Sequence, residues 1–441
     1  MKRSFIIALL SLLLPLIQAG KPKPNLILIS VDTLRQDHLG IYGYPRNTSP
    51  NIDRLLSRGV WFTNAHSNVP LTNPSFCSMM TSRYPHEIGA TRNGIPMVRD
   101  ALTLAEILKK NGYTTVAFLS NWPLKAHLSN LDQGFDIYDD NFSKKRWLFF
   151  NDERDARGVT EQATNWLKNH LKEPLFLWAH YSEPHAPYIS HKGFRFSDPR
   201  LPDTEEQRRI DAYDSEIAYA DHYIGELLSA LDQLGVLKTS LVFFVADHGE
   251  SLGEHGYVGH GRYLYEPSMR IPFGLSGPGI LRGVRIDAQA ELLDLAPTFL
   301  AYAGIPIPSQ MRGRNLLPYI WGEKPWEEPY LIYFETYPGA VRGKGMEKLA
   351  SLKKPIWVGL KVGELKVLYS VLNSRWEMYQ LQRDPGELHN LADPVNQVFI
   401  QFSEKLLKWW RGWKDTAVVG STSALTEQDR KKLEALGYIN K

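Results

Sequence analysis

The sequence predicts an α/β protein with a mixed, mostly parallel β-sheet flanked by helices, followed by a small C-terminal α+β subdomain. Three observations support this fold class. Apolar runs of strand length recur along the chain, and each ends in polar residues. Segments with helical periodicity separate these runs, an order typical of a parallel sheet with helices on both faces. After about residue 325 the pattern changes to short strand-like segments and amphipathic helices.

Four apolar runs define the expected strands of the sheet. They cover residues 24–32, 113–120, 175–185 and 240–250, and they read PNLILISVD, YTTVAFLS, LFLWAHYSEPH and SLVFFVADHGE. Helical segments follow the cap residue Ser49 and precede the second run. Continuous apolar runs are typical of parallel strands covered on both faces. Because ligands bind beyond the carboxyl ends of such strands, we expect the polar residues that end these runs to meet at one edge.

The last quarter of the chain, residues 326–441, is predicted to form a subdomain that follows a first domain over residues 24–325. Residues 355–371 and 375–385 have the composition of antiparallel strands, with a turn at Gly363-Glu364. Two amphipathic helices are expected to close the subdomain, around residues 394–413 and 425–436.

The N-terminus is predicted to be a signal peptide over residues 1–19. Lys2 and Arg3 give a positive start, residues 5–17 form an apolar run too short to span a bilayer comfortably, and Ala19 offers a small residue for cleavage. An uncleaved short anchor is the alternative. No later stretch approaches 18 consecutive apolar residues, so no stable membrane span is expected after cleavage.

Composition restricts the compartment and the partners. The formal net charge of +3 gives no nucleic-acid footprint. The single cysteine cannot form an internal disulfide, which favours a bacterial envelope over a eukaryotic secretory route. We therefore expect an exported bacterial protein, periplasmic or extracellular. The sequence makes no prediction about oligomeric state.

Polar residues at three places along the chain carry reaction chemistry. Asp32 ends the first run, Asp247 and His248 end the fourth, and Thr72 precedes a predicted helix. Carboxylate oxygens and an imidazole around one point form a divalent-cation site. A cation beside a hydroxyl at a helix N-terminus lowers the pKa of that hydroxyl and makes it a nucleophile. Taken singly, the aspartate can equally be a strand-end cap and the threonine a helix cap.

Four segments resemble, in order, the sulfatase family of the alkaline phosphatase superfamily. They read SVDTLRQDHLGIYGYPRNTSPNIDRL, TNPSFCSMMTSRYPHEIG, VADHGESLGEHGYVGHG with LYEPSMRIPF, and WEMYQLQRDPGELHNLAD. The resemblance runs from about residue 24 to residue 393 and implies an alkaline-phosphatase-like fold. It also implies metal ligands: Asp32 matches the first metal-binding acid, and Asp247 with His248 matches the second metal pair. The family often carries a second aspartate where this chain has Thr33.

The resemblance also implies roles near the substrate. His260 falls where many sulfatases carry a sulfate-binding lysine, and His185 matches a histidine thought to contact the substrate or leaving group. A second cation is left open, with five available side chains: His180, Glu183, His185, His255 and His260. Three charged residues and one turn are expected to be mainly structural: Arg35, Asp37, Arg83 and residues 384–391.

The nucleophile of the family lies in a Cys-x-Pro-x-Arg motif, whose Cys or Ser is converted to formylglycine. The matching residues here are Thr72, Asn73, Pro74, Ser75 and Phe76. Thr72 thus takes the position of the nucleophile, and Phe76 replaces the arginine. Cys77 lacks the proline and arginine of the motif, and we expect it inside the helix as a small apolar residue.

Threonine cannot become formylglycine by the known oxidation, so a sulfo-threonine ester would lack the usual elimination route. A phospho-threonine is opened by attack on phosphorus. We therefore expect a metal-dependent hydrolase or transferase that cleaves phosphate esters or diesters, or related sulfate esters, through Thr72. The alternatives are a sulfatase that works without formylglycine and a non-catalytic ligand-binding relative. The expected cofactor is a divalent cation (zinc, manganese or calcium), and the expected substrate is a small-molecule, lipid or sugar ester.

Overall fold

The computed structural model describes residues 22–142, 145–147, 150–151, 153–326, 330–338, 354–418, 420, 426–429 and 431. The predicted signal peptide and most of the predicted helix over 425–436 lie outside these residues. Among the described residues, no helix has the length and apolar character needed to cross a bilayer.

The strands fall into one large sheet, one small sheet and two short hairpins. Their bounds are β1 (Asn25–Val31), β2 (Val60–His66), β3 (Thr114–Phe118), β4 (Ile137–Asp139), β5 (Lys145–Trp147), β6 (Phe150–Asn151), β7 (Leu175–Tyr181), β8 (Ser240–Ala246), β9 (Ser251–Leu252), β10 (Val258–Gly259), β11 (Phe273–Ser276), β12 (Val284–Glu291), β13 (Leu331–Thr336), β14 (Trp357–Val362), β15 (Leu365–Ser370) and β16 (Arg375–Gln380).

The helices range from single turns to the 29 residues of α7. Their bounds are α1 (Pro50–Ser57), α2 (Thr72–Thr81), α3 (Pro85–Ile88), α4 (Leu104–Lys110), α5 (Ala126–Ser129), α6 (Ala156–His170), α7 (Glu205–Gln233), α8 (Glu266–Met269), α9 (Leu295–Tyr302), α10 (Leu317–Ile320) and α11 (Gln397–Arg411).

The large sheet is mixed and mostly parallel, which confirms the predicted fold class. Its strand order is β12-β2-β11-β8-β1-β7-β3-β4. The five strands from β8 to β4 are parallel, whereas β11 runs antiparallel to both of its neighbours. The four strands β8, β1, β7 and β3 are the four apolar runs of the sequence. Their carboxyl ends therefore lie along one edge of the sheet.

Helices cover both faces of this sheet, which explains why its central strands β1, β7 and β8 are buried at every position. On β7, the aromatic rings of Phe176 and Trp178 contact Phe299 of α9 and Phe76 of α2, respectively. The hydroxyl of Tyr181, which points to the opposite face, pairs with the hydroxyl of Thr160 on α6 at 2.9 Å. Successive side chains of a strand point to opposite faces, so the strand is buried from both sides.

The C-terminal part forms a four-stranded antiparallel sheet in the order β13-β14-β15-β16, as expected for the predicted subdomain. The two-residue turn at Gly363-Glu364 joins β14 to β15, and Gly363 adopts a left-handed φ of 55°. Helix α11 packs against this sheet through aromatic pairs: Tyr333 with Trp409, Tyr369 with Trp410, and Trp376 with Phe399.

A buried ionic cluster joins the small sheet to the large one. The ammonium of Lys366 on β15 lies 2.8 Å from Glu266 Oε1 and 2.9 Å from Glu387 Oε1. The second carboxylate oxygen of Glu266 lies 2.9 Å from Nε2 of His66, at the end of β2. Glu387 belongs to the turn at residues 384–391, and its Oε2 accepts the backbone N–H of Glu266 at 2.6 Å. We call these four residues the Lys366 cluster.

Candidate active site

The carboxyl ends of β8, β1, β7 and β3 bring together side chains that are far apart in the sequence. Asp32 follows β1, Asp247 and His248 follow β8, and Asn121 lies three residues after β3. His185 lies in the loop after β7. The convergence follows directly from four parallel neighbouring strands.

Asp32, Asp247 and His248 form a compact group that we call the Asp247 cluster. Each offers one ligand atom, and these atoms all lie within 4.8 Å of one another. The imidazole Nε2 lies 3.8 Å from Asp32 Oδ1 and 3.4 Å from Asp247 Oδ2. These three atoms are buried, and none has a hydrogen-bond partner among the described residues. The imidazole Nδ1 of His248 lies 2.9 Å from the carbonyl of Gly249. When Nδ1–H donates to that oxygen, Nε2 is unprotonated and its lone pair is free to bind a cation.

The electrostatics of the Asp247 cluster call for a cation. Burial and the neighbouring Asp247 raise the pKa of Asp32 well above its usual range. Burial raises the pKa of Asp247 to about 8 and holds the pKa of His248 well below its usual value. Two buried carboxylates and a neutral imidazole, each with an orphaned ligand atom, fit a divalent cation that would offset this charge.

A backbone turn at Thr33 and the side-chain amide of Asn121 hold the two carboxylates in place. Thr33 adopts a left-handed φ of 55°, which is strained for a β-branched residue, and its backbone N–H donates to Asp247 Oδ1 at 3.2 Å. The phenol of Tyr213 fixes this turn by donating to the Thr33 carbonyl at 2.7 Å. The amide of Asn121 donates to Asp32 Oδ2. The sequence reasoning did not identify Asn121, because a lone asparagine in a loop carries no spacing signal.

Helix α2 begins at Thr72, which is 1% exposed, so the helix starts at this hydroxyl residue and not after it as the sequence predicts. One turn later, Ser75 Oγ donates to the backbone carbonyl of Asp247 at 2.7 Å. This hydrogen bond fixes the start of α2 against the end of β8. Phe76, in the place of the family arginine, is fully buried and packs edge-on against the ring of His180.

Asn93 is a second residue that the sequence reasoning missed. Its Oδ1 accepts the backbone N–H of Asn73 at 2.9 Å, one residue after Thr72. Its amide nitrogen is buried and has no partner among the described residues. The site therefore offers an unused amide donor beside the start of α2.

Cys77 lies in the interior, away from any reactive role. It is fully buried in the large hydrophobic core, and burial raises the pKa of its thiol far above the usual range. Its Sγ lies 3.1 Å from Asn73 Oδ1, where it acts as a weak donor.

Two further imidazoles approach the Asp247 cluster. The ring of His260 lies 4.5 Å from the ring of His248 and 5.3 Å from that of His185, centre to centre. His260 Nδ1 lies 3.1 Å from Oε1 of the fully buried Glu250. An imidazole that donates Nδ1–H to a carboxylate is held in one orientation with Nε2 free. Glu250 is thus a third residue absent from the sequence-based site.

Of the five side chains proposed for a second cation, His185 and His260 lie together, and the other three have contacts of their own. His255 stacks on Tyr265 at a ring separation of 3.7 Å, and His180 Nδ1 lies 3.1 Å from Ser30 Oγ. Glu183 accepts the backbone N–H of Ala156 at 3.1 Å. Within the described part of the chain, the Asp247 cluster is the one group of three or more potential ligands with suitable mutual distances.

The charged residues expected to be structural support the site from outside. Arg35 is buried and pairs with Asp37 at 2.7 Å, and its guanidinium also donates to the carbonyl of Glu250 at 3.2 Å. It thereby ties the loop after β1 to the loop after β8. Arg83 lies 3.8 Å from Glu87 in the next short helix.

Comparison with known proteins decides the family. A family model described as Sulfatase matches residues 24–305, which is more than half of the chain. The chain belongs to the sulfatase family. A second family model, described as N-sulphoglucosamine sulphohydrolase, C-terminal, matches residues 253–410 of this sulfatase-family chain.

Characterised relatives of this sulfatase-family protein are distant but cover most of it. The Ulvan-active sulfatase of Formosa agariphila is 27% identical over 355 residues, covering 72% of this chain and 69% of that protein. The Delta 4,5-hexuronate-2-O-sulfatase of Bacteroides thetaiotaomicron is 27% identical over 437 residues, covering 85% and 86%, respectively. Relatives of this kind support an ester hydrolase.

Solved structures share the fold. A protein in complex with its substrate D-glucosamine-2-N,6-O-disulfate superimposes with a TM-score of 0.75 at 21% identity, covering 89% of this chain and 98% of that one. The phosphonate monoester hydrolase of Agrobacterium radiobacter gives a TM-score of 0.72 at 20% identity, covering 89% and 96%. At these identities the likeness establishes the alkaline-phosphatase-like fold, and it extends to enzymes named for sulfur and for phosphorus chemistry.

Proposed function

We propose that this protein is an exported, metal-dependent ester hydrolase that cleaves anionic esters through a covalent Thr72 intermediate, with phosphate esters or diesters as its favoured substrates. One observation carries the proposal. Thr72 opens α2, the helix whose first turn is tied to the Asp247 backbone by the Ser75 hydroxyl at 2.7 Å, while the arginine position of the family motif holds the buried ring of Phe76. These two residues favour an unmodified threonine hydroxyl as the nucleophile over a formylglycine.

The residues of the site divide the reaction among them. Asp32, Asp247, His248 and Thr72 would hold a divalent cation, which when bound lowers the pKa of a neighbouring hydroxyl and offsets charge on ester oxygens. Thr72 Oγ1 attacks phosphorus as its proton passes to solvent, and the bond to the leaving oxygen breaks while His185 gives that oxygen a proton. Water then attacks the same phosphorus and returns a proton to His185, and the Thr72 oxygen leaves and regains its proton. The product is phosphate from a monoester or a phosphate monoester from a diester.

Two donors are available for the non-bridging oxygens of the substrate. His260 is oriented by Glu250, and the amide nitrogen of Asn93 has no partner among the described residues. Fixed donors aimed at developing charge stabilise a transition state more than they stabilise the substrate.

Phosphorus is favoured over sulfur by the chemistry of threonine. A formylglycine hydrate expels sulfate through its second hydroxyl, and threonine has none. A phospho-threonine needs only attack on phosphorus. A sulfuric ester hydrolase that works without formylglycine is the second candidate, because the relatives named above are sulfatases, two of them named for sugar or polysaccharide substrates. Because these relatives are named for sugar or polysaccharide substrates, we also propose a carbohydrate ester as the substrate class.

The test uses the Thr72→Ala and Thr72→Ser variants with p-nitrophenyl phosphate, phosphodiester, phosphonate and sulfate. We expect diester or monoester phosphate turnover in the wild type, loss of about a thousandfold or more in Thr72→Ala, and partial retention in Thr72→Ser, which keeps the hydroxyl. Mass analysis after brief incubation should find a phosphorylated residue 72.

Three outcomes would contradict the proposal. Sulfate turnover with an unmodified Thr72, and none of phosphate, would establish the second candidate. Full activity in Thr72→Ala would remove Thr72 from the reaction. Turnover of none of the four esters by metal-loaded wild type would favour a ligand-binding protein that has kept the site residues.

A further inference from the structure

A cleft of about 740 Å³ lies at the edge of the large sheet opposite the candidate active site. It is bounded by α1, by the end of α7, by the start of β8 and by the loop after β11. Ser240 lines the cleft and Asp247 belongs to the site, and the seven-residue length of β8 separates them by about 23 Å. The cleft is therefore distinct from the site where Thr72 lies. Its volume falls within the range of ligand-binding cavities.

The charged side chains that line the cleft are predominantly basic. Four cations and one carboxylate border it: Arg54, Arg58, Lys238, Arg282 and Asp232. No carboxylate forms an ion pair with any of these four cations in the described part of the chain. The whole chain has a formal net charge of +3, so one cleft carries as much net positive charge as the entire sequence. The positive charge is therefore concentrated at this cleft and does not reflect a basic chain as a whole.

The floor of the cleft is closely packed. A Cβ atom at Gly225 of α7 would lie 2.5 Å from the side-chain carbon of Asn51 on α1, so any larger residue here would displace that side chain. A Cβ atom at Gly277 would lie 2.5 Å from the carbonyl of Ser240. The cations come from separate elements that meet across this floor. A concave surface with a net positive charge attracts a ligand of the opposite charge.

We propose that this cleft is a second binding site, which holds an anionic polysaccharide strand by its sulfate or phosphate groups. The inference rests on the proposed function in one respect, the carbohydrate class of the ligand. A small ester cannot span the distance of about 23 Å between the cleft and the candidate active site. A polymer can be held in the cleft while an ester group at its end enters the active site. Retention at the cleft would raise the local concentration of ester groups near Thr72.

The experiment compares the wild type with Arg58→Glu/Arg282→Glu and with Lys405→Glu/Lys408→Glu, a control on the exposed face of α11. Both double variants change the net charge equally. Binding of dextran sulfate and of uncharged dextran is measured by calorimetry at low and physiological salt. We expect the cleft variant to bind dextran sulfate about tenfold more weakly and the control to change by less than about twofold. Arg58→Gln/Arg282→Gln should give an intermediate loss, and uncharged dextran should bind none of the proteins.

Turnover of the small p-nitrophenyl ester, measured on the same samples, should be unchanged in the cleft variants and also reports correct folding. No binding by the wild type, or equal weakening in the control, would overturn the inference. Binding of phosphatidylserine vesicles in preference to dextran sulfate would assign the cleft to a membrane surface and would also overturn it. Failure here with turnover intact leaves the proposed function standing, and loss of turnover with cleft binding intact does the reverse.

Discussion

Two buried charged clusters in this protein differ in one respect, which is whether they contain their own counter-ion. In the Lys366 cluster, the ammonium lies within 3 Å of two carboxylates, and His66 contacts the free oxygen of Glu266. In the Asp247 cluster, two carboxylates and an imidazole face one another with orphaned ligand atoms. The first contains its own cation and joins two sheets. The second has the composition of a site that is completed from outside.

The pKa directions express the same difference. Burial lowers the pKa of Lys366, but Glu266 and Glu387 more than reverse this, and its pKa is raised. Burial likewise raises the pKa of Glu266, and Lys366 with His66 brings it well below the usual value. Burial keeps the pKa of Glu387 raised, at about 7, so compensation in the Lys366 cluster is partial. In the Asp247 cluster no ammonium is present, and burial keeps the pKa of both Asp32 and Asp247 raised. Buried groups whose pKa values are shifted in this way are typical of functional sites, and structural ion-pair networks show such shifts as well.

Asp247→Asn is expected to have the largest effect and to act in opposite directions on activity and stability. Loss of a ligand should lower turnover by about a thousandfold or more, since a cation supplies several kcal/mol to such reactions. In metal-free buffer the variant should be at least as stable as the wild type, because the amide removes the cost of burying a carboxyl whose pKa burial raises to about 8. Turnover, metal content by mass spectrometry and thermal unfolding with and without chelator give the three readings.

The matched control for that variant is the wild type titrated with zinc, manganese and calcium. The cation that binds should stabilise the wild type by about 2.7 kcal/mol at a hundredfold excess over Kd and leave the variant unmoved. A metal-free wild type that is clearly more stable than Asp247→Asn, with no response to any of the three ions, would contradict the assignment of this cluster as a cation site.

Lys366→Met tests the other half of the comparison. It leaves two buried carboxylates without their cation, which should lower the free energy of unfolding by about 3–5 kcal/mol. Turnover per folded molecule should change far less than in Asp247→Asn. Denaturant unfolding measures the first quantity and active-site titration the second. The exposed Lys405→Met on α11 should stay within about 0.5 kcal/mol of the wild type. An unchanged stability in Lys366→Met would show that the cluster contributes nothing to the junction.

Much of the fold was predictable because the central strands are buried on both faces. Four apolar runs marked β1, β3, β7 and β8, and a two-residue turn marked the hairpin of β14 and β15. Strand β11 has only four residues, and β12 alternates polar and apolar residues as an edge strand, so neither stands out in the sequence. Short and edge strands are fixed by pairing across the sheet rather than by local composition.

The candidate site divides in the same way. Asp32, Asp247 and His248 are signalled by their position at strand ends, and Thr72 by the motif around it. Asn121 contacts Asp32 across 89 residues of sequence, and Asn93 contacts Asn73 across 20. Such partnerships depend on how loops fold back, and single asparagines in loops are too common to indicate one. Glu387 is a related case, because its turn was predicted but its buried contact with Lys366 was not.

Glu250→Gln is expected to have the smallest effect. It tests whether a carboxylate outside the Asp247 cluster contributes to turnover by orienting His260. The substitution keeps the shape and an acceptor for His260 Nδ1 but removes the charge, so we expect kcat to fall about tenfold, and Glu250→Ala about a hundredfold. KM and metal content should stay near the wild-type values.

The decisive measurement is a double-mutant cycle with His260→Ala. If Glu250 acts by positioning His260, the double variant is no slower than His260→Ala alone, since the imidazole to be oriented is absent. Fully additive losses would show that Glu250 acts by another route, through the loop that also carries His248.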